Sequence, residues 1–270
     1  MHLGLIGYGS IATSLIELLP DSRVRKLTVL LRPTSMPLKQ IEGTGTSQSP
    51  LVEFVTELDV FLKSQPDLVV ECAGHAAVTH YVPDLLQSGL DVIVASVGAL
   101  ADEQLYVRIN AAAAQGRSRI ILPSGAIGGL DILRAISQHG EVEVTYRGIK
   151  PAEAWTGTPA EEVLDLTALD GATTFFSGTG RQAALAFPKN ANVVAALALA
   201  GADFDRMKVE LIADPAAQSN QHTYSVVSPL CRYSMAIEAT PSSGNARTSI
   251  TTVLSIAKEI ADYQIAPQTD

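Results

Sequence analysis

Cysteine is nearly absent from this 270-residue chain: Cys72 and Cys231 are the only two, and they form neither a C-x-x-C pair nor a cluster with histidine at metal-ligand spacing. A disulfide framework and a zinc site of the usual spacing are therefore not expected, and the composition fits a reducing, cytoplasmic compartment. Positive charge is scarce too. Nineteen Lys and Arg stand against 28 Asp and Glu, a net charge of −9, which argues against a nucleic-acid partner because a phosphate backbone needs a cationic surplus. Long apolar runs are also missing. The longest nearly unbroken one, Val193 to Ala202, falls short of the roughly 18 to 20 residues a membrane span needs. No basic segment precedes an apolar run and a small-residue cleavage site at the N-terminus, so a soluble protein without a membrane partner is expected. What is plentiful is aliphatic: hydrophobic residues make up 47% of the chain and aromatics 5%, enough for one large core or two modest ones. Two domains are the expectation.

The first half alternates strands with helices. Leu3 to Ile6 is a short apolar strand, Ile11 to Leu19 has helical spacing and ends at Pro20, and Arg25 to Leu31 is a second strand. The same reading predicts a helix over 51–62, a strand over 67–71, a helix over 81–87 and a strand over 91–95. A helix over 102–114 and a strand over 119–122 follow. Continuous Val/Ile/Leu strands of this kind are buried on both faces, which predicts a doubly wound parallel sheet of the Rossmann type. Beyond about Ser124 the strands change character. Glu141 to Arg147, Thr223 to Val226 and Tyr233 to Glu238 alternate polar with apolar residues, as antiparallel or mixed strands do. The fold class expected is α/β. It comprises a dinucleotide-binding domain over 1–123 and a mixed α/β catalytic and dimerisation domain over 124–243. A closing segment over 244–270 contains a helix that packs back on the first domain.

Within "LIGYGSIATSL", Gly7, Gly9 and Ala12 stand at G-x-G-x-x-A spacing between a strand and a helix. Gly7 permits the tight turn, Gly9 lets backbone approach a pyrophosphate, and the helix start at Ser10 and Ile11 attracts phosphate. An acidic residue after the second strand would select NAD; the chain instead reads Leu31-Arg32-Pro33-Thr34-Ser35. Arg32 suits a 2′-phosphate, which leans the cofactor toward NADP with NAD also accepted, although it also reads as a solvated loop arginine.

The reaction is carried by segments further on: "VECAGH" (70–75), "SVGAL" (96–100), "LPSGAIGGLD" (122–131), "KPAEAWTGTPAE" (150–161), "FPKNANVVAALALAGADFDR" (187–206) and "LIADP" (211–215). Together they resemble the L-aspartate dehydrogenase family, which is similar in architecture to homoserine dehydrogenase and dihydrodipicolinate reductase. The resemblance implies NAD(P)-dependent oxidation of L-aspartate through iminoaspartate to oxaloacetate and ammonia, a role in NAD biosynthesis, and a homodimer. It places the catalytic histidine at His222 in "AQSNQHTYSV" and cofactor contacts at Ala126 and Asn192. Ala73 and Gly74 of "VECAGH" stand where a Rossmann strand meets its ligand and are expected on the cofactor side. On chemistry alone, His222 offers a near-neutral pKa suited to taking a proton from the ammonium and then from water. Asn192 either caps its helix or bonds a carboxamide. Lys189 and Thr248 are the candidates for holding the substrate carboxylates. At the latter, "GNARTS" replaces the "NPKTS"-like segment expected of the family. Two other readings stay open: an NADP-linked reductase of a related semialdehyde or cyclic imine, and a non-catalytic NADP-sensing protein.

Overall fold

The computed structural model describes residues 1–19, 24–35, 50–188, 191–240 and 249–265. The chain divides into two compact units, Met1–Pro123 with Ile250–Asp270, and Ser124–Ser249.

In the first unit, β1 (His2–Ile6) leads into α1 (Ser10–Leu18), β2 (Lys26–Leu30), β3 (Leu51–Val55) and α2 (Leu58–Lys63). Then come β4 (Leu68–Glu71), α3 (His75–Gln87), β5 (Val92–Val94), α4 (Glu103–Gly116) and β6 (Ile120–Ile121). Among the described residues the strands form one parallel sheet in the order β3-β2-β1-β4-β5-β6. This is the doubly wound order, and its switch point lies between β1 and β4, where the two flanking βα turns open a crevice for ligand. Every residue of β4 and β5 is buried, as the sheet's double cover requires.

The helix expected over 51–62 is corrected to a strand followed by a short helix. Leu51, Val52, Phe54, Val55 and Leu58 satisfy a helical stripe and a strand equally well. Pairing with β2, from Lys26↔Leu51 to Leu30↔Val55, decides for the strand. Only Leu58–Lys63 remains helical.

The C-terminal helix, Ile250–Ile265, belongs to this unit. Its Val253, Ile256 and Ile260, on one helical stripe, join Leu3, Leu5, Ala12, Leu15 and Leu27 in a single core. Tyr263 adds a polar tie, its hydroxyl donating to the Asp67 carbonyl at 3.0 Å.

The second unit contains α5 (Leu130–Ser137), β7 (Glu143–Pro151), β8 (Thr173–Thr179), α6 (Gly180–Ala186) and α7 (Ala191–Leu197). It continues through β9 (Lys208–Asp214), β10 (Gln221–Val227) and β11 (Arg232–Glu238). The sheet order is β11-β10-β7-β9-β8, with β7 and β9 parallel and the other neighbours antiparallel. Strict alternation assigns one face to the core: Val144, Tyr146 and Gly148 from β7 and His222, Tyr224 and Val226 from β10 are all buried. The opposite face is polar and carries the Arg147–Glu210 ion pair at 2.6 Å. Past β7, Trp155 is fully buried, donates its indole N–H to the Ile212 carbonyl at 3.1 Å, and packs edge-on to Phe175 at 4.7 Å.

Candidate active site

The cofactor residues of the first unit converge on the switch point. A cavity of about 620 Å³ is lined by Gly7, Gly9, Arg32, Ala73, His80 and Tyr81, among others. Its size suits part of a dinucleotide. Gly7 has φ +90°, and a Cβ there would lie 2.7 Å from the Cβ of Ala73, so the turn after β1 rests directly on the turn after β4. Only glycine meets both demands. A Cβ at Gly9 would meet nothing within 4 Å, which is the open approach a pyrophosphate needs. Gly9 is the N-cap of α1 and no side chain caps that helix, leaving its positive end at Ser10 and Ile11 toward the turn. Arg32 is exposed at the cavity wall. These features fit a nicotinamide dinucleotide.

A buried acid that sequence reasoning passed over holds this wall together. Glu71 ends β4 with no exposed surface. Its Oε1 accepts from the backbone N–H groups of Ala73 and Gly74, each at 2.8 Å, and from the Ser96 hydroxyl at 3.0 Å; its Oε2 accepts from the Ser96 N–H at 3.0 Å. Burial pushes its pKa up, and the four donors pull against that rise. Gly74, at φ +117°, starts α3 immediately after, so the carboxylate ties together the turns after β4 and β5. The sequence signal was an acid closing an otherwise apolar buried strand, "LVVE". Cys72 is buried beside it, its thiol donating to the Ile6 carbonyl at 3.4 Å, with burial pushing its pKa up, away from reactivity.

In the second unit His222 is 8% exposed and opposes Gly148 in the β7–β10 register. Its Nδ1 shares a 2.8 Å hydrogen bond with the Tyr146 hydroxyl, and the two rings are stacked with centroids 6.1 Å apart. Gly148 makes room for this contact, because a Cβ at that position would sit 2.8 Å from the Tyr146 oxygen. Burial, and secondarily the charge of Lys150, lower the His222 pKa to about 4. The imidazole is therefore neutral at pH 7, and with Nδ1 engaged by Tyr146 its Nε2 is the nitrogen left to meet a substrate proton.

Ala126 lies in the 124–129 turn, which is pinned to the same sheet. Tyr224, two residues along β10 from His222, donates to the Gly128 carbonyl at 2.7 Å, and Tyr233 donates to that of Gly129 at 3.5 Å. Asn192 is the second residue of α7 and is exposed. Lys189 and Thr248 lie outside the described residues. Sequence reasoning also passed over Tyr146 and Lys150. Their signal was parity: Tyr146, Gly148 and Lys150 occupy alternate positions of one strand, but only the register to β10 shows that His222 faces them.

A glycine turn on a doubly wound parallel sheet, with a buried neutral histidine in a second, mixed-sheet unit, defines a two-domain nicotinamide-dependent dehydrogenase. Comparison with known proteins sharpens this class. Residues 7–123 match the homoserine dehydrogenase NAD-binding domain family, and residues 131–263 match the aspartate dehydrogenase C-terminal family. The chain is 38% identical over 262 residues to an L-aspartate dehydrogenase of Cupriavidus taiwanensis, covering 97% of each chain. It is 42% identical over 256 residues to one of Ruegeria pomeroyi, covering 95% of this chain and 90% of that one. The crystal structure of aspartate dehydrogenase from Thermotoga maritima aligns over 100% of this chain and 98% of its own, at 29% identity and a TM-score of 0.74. A hyperthermophilic archaeal homoserine dehydrogenase in complex with NADPH shares the fold at a TM-score of 0.56 and 11% identity. This chain belongs to the L-aspartate dehydrogenase family. The names of these relatives do not favour the semialdehyde or imine reductase, nor the non-catalytic sensor. Among the described residues, no helix is long and apolar enough to cross a membrane.

Proposed function

We propose that this protein oxidises L-aspartate with NADP+ or NAD+, through iminoaspartate, to oxaloacetate and ammonia, and catalyses the reverse reductive amination. The observation that carries the reading is the neutral imidazole of His222, held through Nδ1 by Tyr146 in the unit that matches the aspartate dehydrogenase C-terminal family. In the oxidative direction Nε2 takes a proton from the substrate ammonium, which frees the nitrogen lone pair to form the imine. A bound nicotinamide supplies the acceptor for the Cα hydride. Once that first proton has passed from Nε2 to solvent, the neutral His222 takes a proton from the water that attacks the imine carbon, and returns it to the departing nitrogen. Throughout, Tyr146 keeps the ring from rotating, and burial keeps it uncharged between turnovers.

Gly7, Gly9, Ser10, Ile11, Ala73 and Gly74 are proposed to hold the pyrophosphate and its surroundings, and Ala126 and Asn192 the nicotinamide end. Arg32, at the cavity wall with no acid beside it in "LLRPTS", supports NADP as the better cofactor. Lys189 and Thr248 remain proposed carboxylate ligands. The family resemblance supports a cytoplasmic homodimer whose iminoaspartate serves NAD biosynthesis. The test follows reduced-nicotinamide absorbance for the purified chain with L-aspartate and NADP+ or NAD+, and with oxaloacetate, ammonium and the reduced cofactors. Turnover is expected in both directions, with a higher kcat/KM for NADP+. Silence in both directions would overturn the proposal, and size-exclusion chromatography with light scattering checks the dimer.

A further inference from the structure

We propose that Lys150 is the counter-ion for a substrate carboxylate, and that it makes the site prefer a dicarboxylate over a monocarboxylate amino acid. The inference rests on the function proposed above and names a residue that supplies its substrate specificity. On β7 positions 146, 148 and 150 follow one another on a single face, and His222 on β10 stands opposite Gly148. Along the strand, same-face neighbours are about 7 Å apart. His222 is thus flanked by Tyr146 on one side, which holds its ring, and by Lys150 on the other.

The remaining strand cations of the second unit do not share this face, as far as the described residues show. Arg147 points the opposite way into its ion pair with Glu210, and Lys208 and Arg232 pair with Thr145 and Val227 on that same outer side. Lys150 alone among them sits beside the imidazole. Its ammonium lies 5.1 Å from the centre of the buried Trp155 ring, and burial lowers its pKa to about 8. At pH 7 it therefore remains mostly cationic while already partly dehydrated. A carboxylate binding there displaces less water than at an exposed lysine and gains a stronger charge-assisted hydrogen bond. The same charge lowers the His222 pKa. An arriving carboxylate would offset that repulsion, making the base more basic when substrate is present.

The test compares wild type, Lys150→Met and Lys150→Arg as full chains, with L-aspartate and L-alanine as substrates and malonate and acetate as inhibitors. Methionine keeps an apolar stem over Trp155. In Lys150→Met, KM for L-aspartate and Ki for malonate should rise on the order of 10- to 100-fold, the range for a lost hydrogen bond to a charged group. The Kd for NADPH and the Ki for acetate should stay unchanged, and the preference for aspartate over alanine should fall by the same factor. Lys150→Arg should recover part of the malonate affinity. A Lys150→Met enzyme with wild-type KM and malonate Ki, changed only in kcat, overturns the inference. Should Lys150→Met not fold, protection of wild-type Lys150 from reductive methylation, read by peptide mass, decides. Malonate should protect and acetate should not, and equal labelling overturns it. A wild type without aspartate turnover refutes the proposed function itself, whereas a wild type that turns over while Lys150→Met keeps its KM refutes only the role of Lys150.

Discussion

Replacing Glu71 separates the architecture of the cofactor wall from the chemistry it serves. The carboxylate has four donors on two oxygens: Ala73 N–H, Gly74 N–H and the Ser96 hydroxyl on Oε1, and Ser96 N–H on Oε2. In Glu71→Gln the amide oxygen can take the Oε1 position and keep three of them. The amide NH2 then meets the Ser96 N–H donor to donor, and the loss of that N–H's acceptor alone costs about 2 kcal/mol. In Glu71→Ala all four donors lose their acceptor. The Ser96 pair is buried and the Ala73 and Gly74 pair partly so, giving a loss of about 4 kcal/mol once partial rehydration is allowed for. That is a large fraction of the about 5–15 kcal/mol that holds a typical protein folded. Because Ala73 backs Gly7 and lines the cavity, loosening this turn also removes a wall of the cofactor site. Urea denaturation reads the first effect, and NADPH fluorescence titration the second. The expected order is wild type, then Gln, then Ala in both. A Glu71→Ala protein within about 1 kcal/mol of wild type and with unchanged NADPH affinity would refute the bracing role.

Tyr146→Phe removes the hydrogen bond to Nδ1 and keeps the ring. It should lower kcat by about 10-fold or more, the value of one hydrogen bond, with cofactor Kd unchanged in fluorescence titration; unaltered kcat would show that His222 orients itself. His222 also predicts an acid sensitivity. Its folded pKa of about 4 lies below its ordinary value of 6.5, so the stability tied to the neutral ring is complete above pH 6.5 and drains away as pH falls toward 4. The full difference is about 3 kcal/mol. Urea midpoints should therefore fall less steeply in His222→Gln than in wild type across that window, and parallel curves would contradict the assignment. Arg32→Ala should cut kcat/KM for NADP+ by about 10-fold while leaving that for NAD+ within about 2-fold, measured with L-aspartate.

The parallel sheet was legible because its strands are apolar on both faces and punctuated by helices. β1, β4 and β5 could be read in this way from residue type alone. β3 was not, since Leu51 to Leu58 satisfies two periodicities and only pairing with β2 chooses between them. The glycine turn was equally legible, because Gly7 and Gly9 act through local backbone geometry. His222 was reached by resemblance, and its surroundings stayed hidden. Tyr146 lies 76 residues away in sequence, and a strand register is needed to bring them together. Glu71 was overlooked for a related reason: its partners are backbone N–H groups, which no side-chain pattern displays.

The division of the first unit between Met1–Pro123 and Ile250–Asp270 has a bearing on biosynthesis. Translation delivers the second unit as one uninterrupted stretch, so it can reach its native topology while the nascent chain is still growing. The first unit cannot. Its core, Leu3, Leu5 and Leu27 of the sheet with Leu15 of α1, waits for Val253, Ile256 and Ile260, which are made after the second unit. Until then a greasy surface built ahead of the second unit stays uncovered, and it is there that a chaperone would find the unfinished polypeptide. Deleting the Ile250–Ile265 helix would therefore reduce the yield of folded enzyme through the unit whose strands precede it by more than 120 residues.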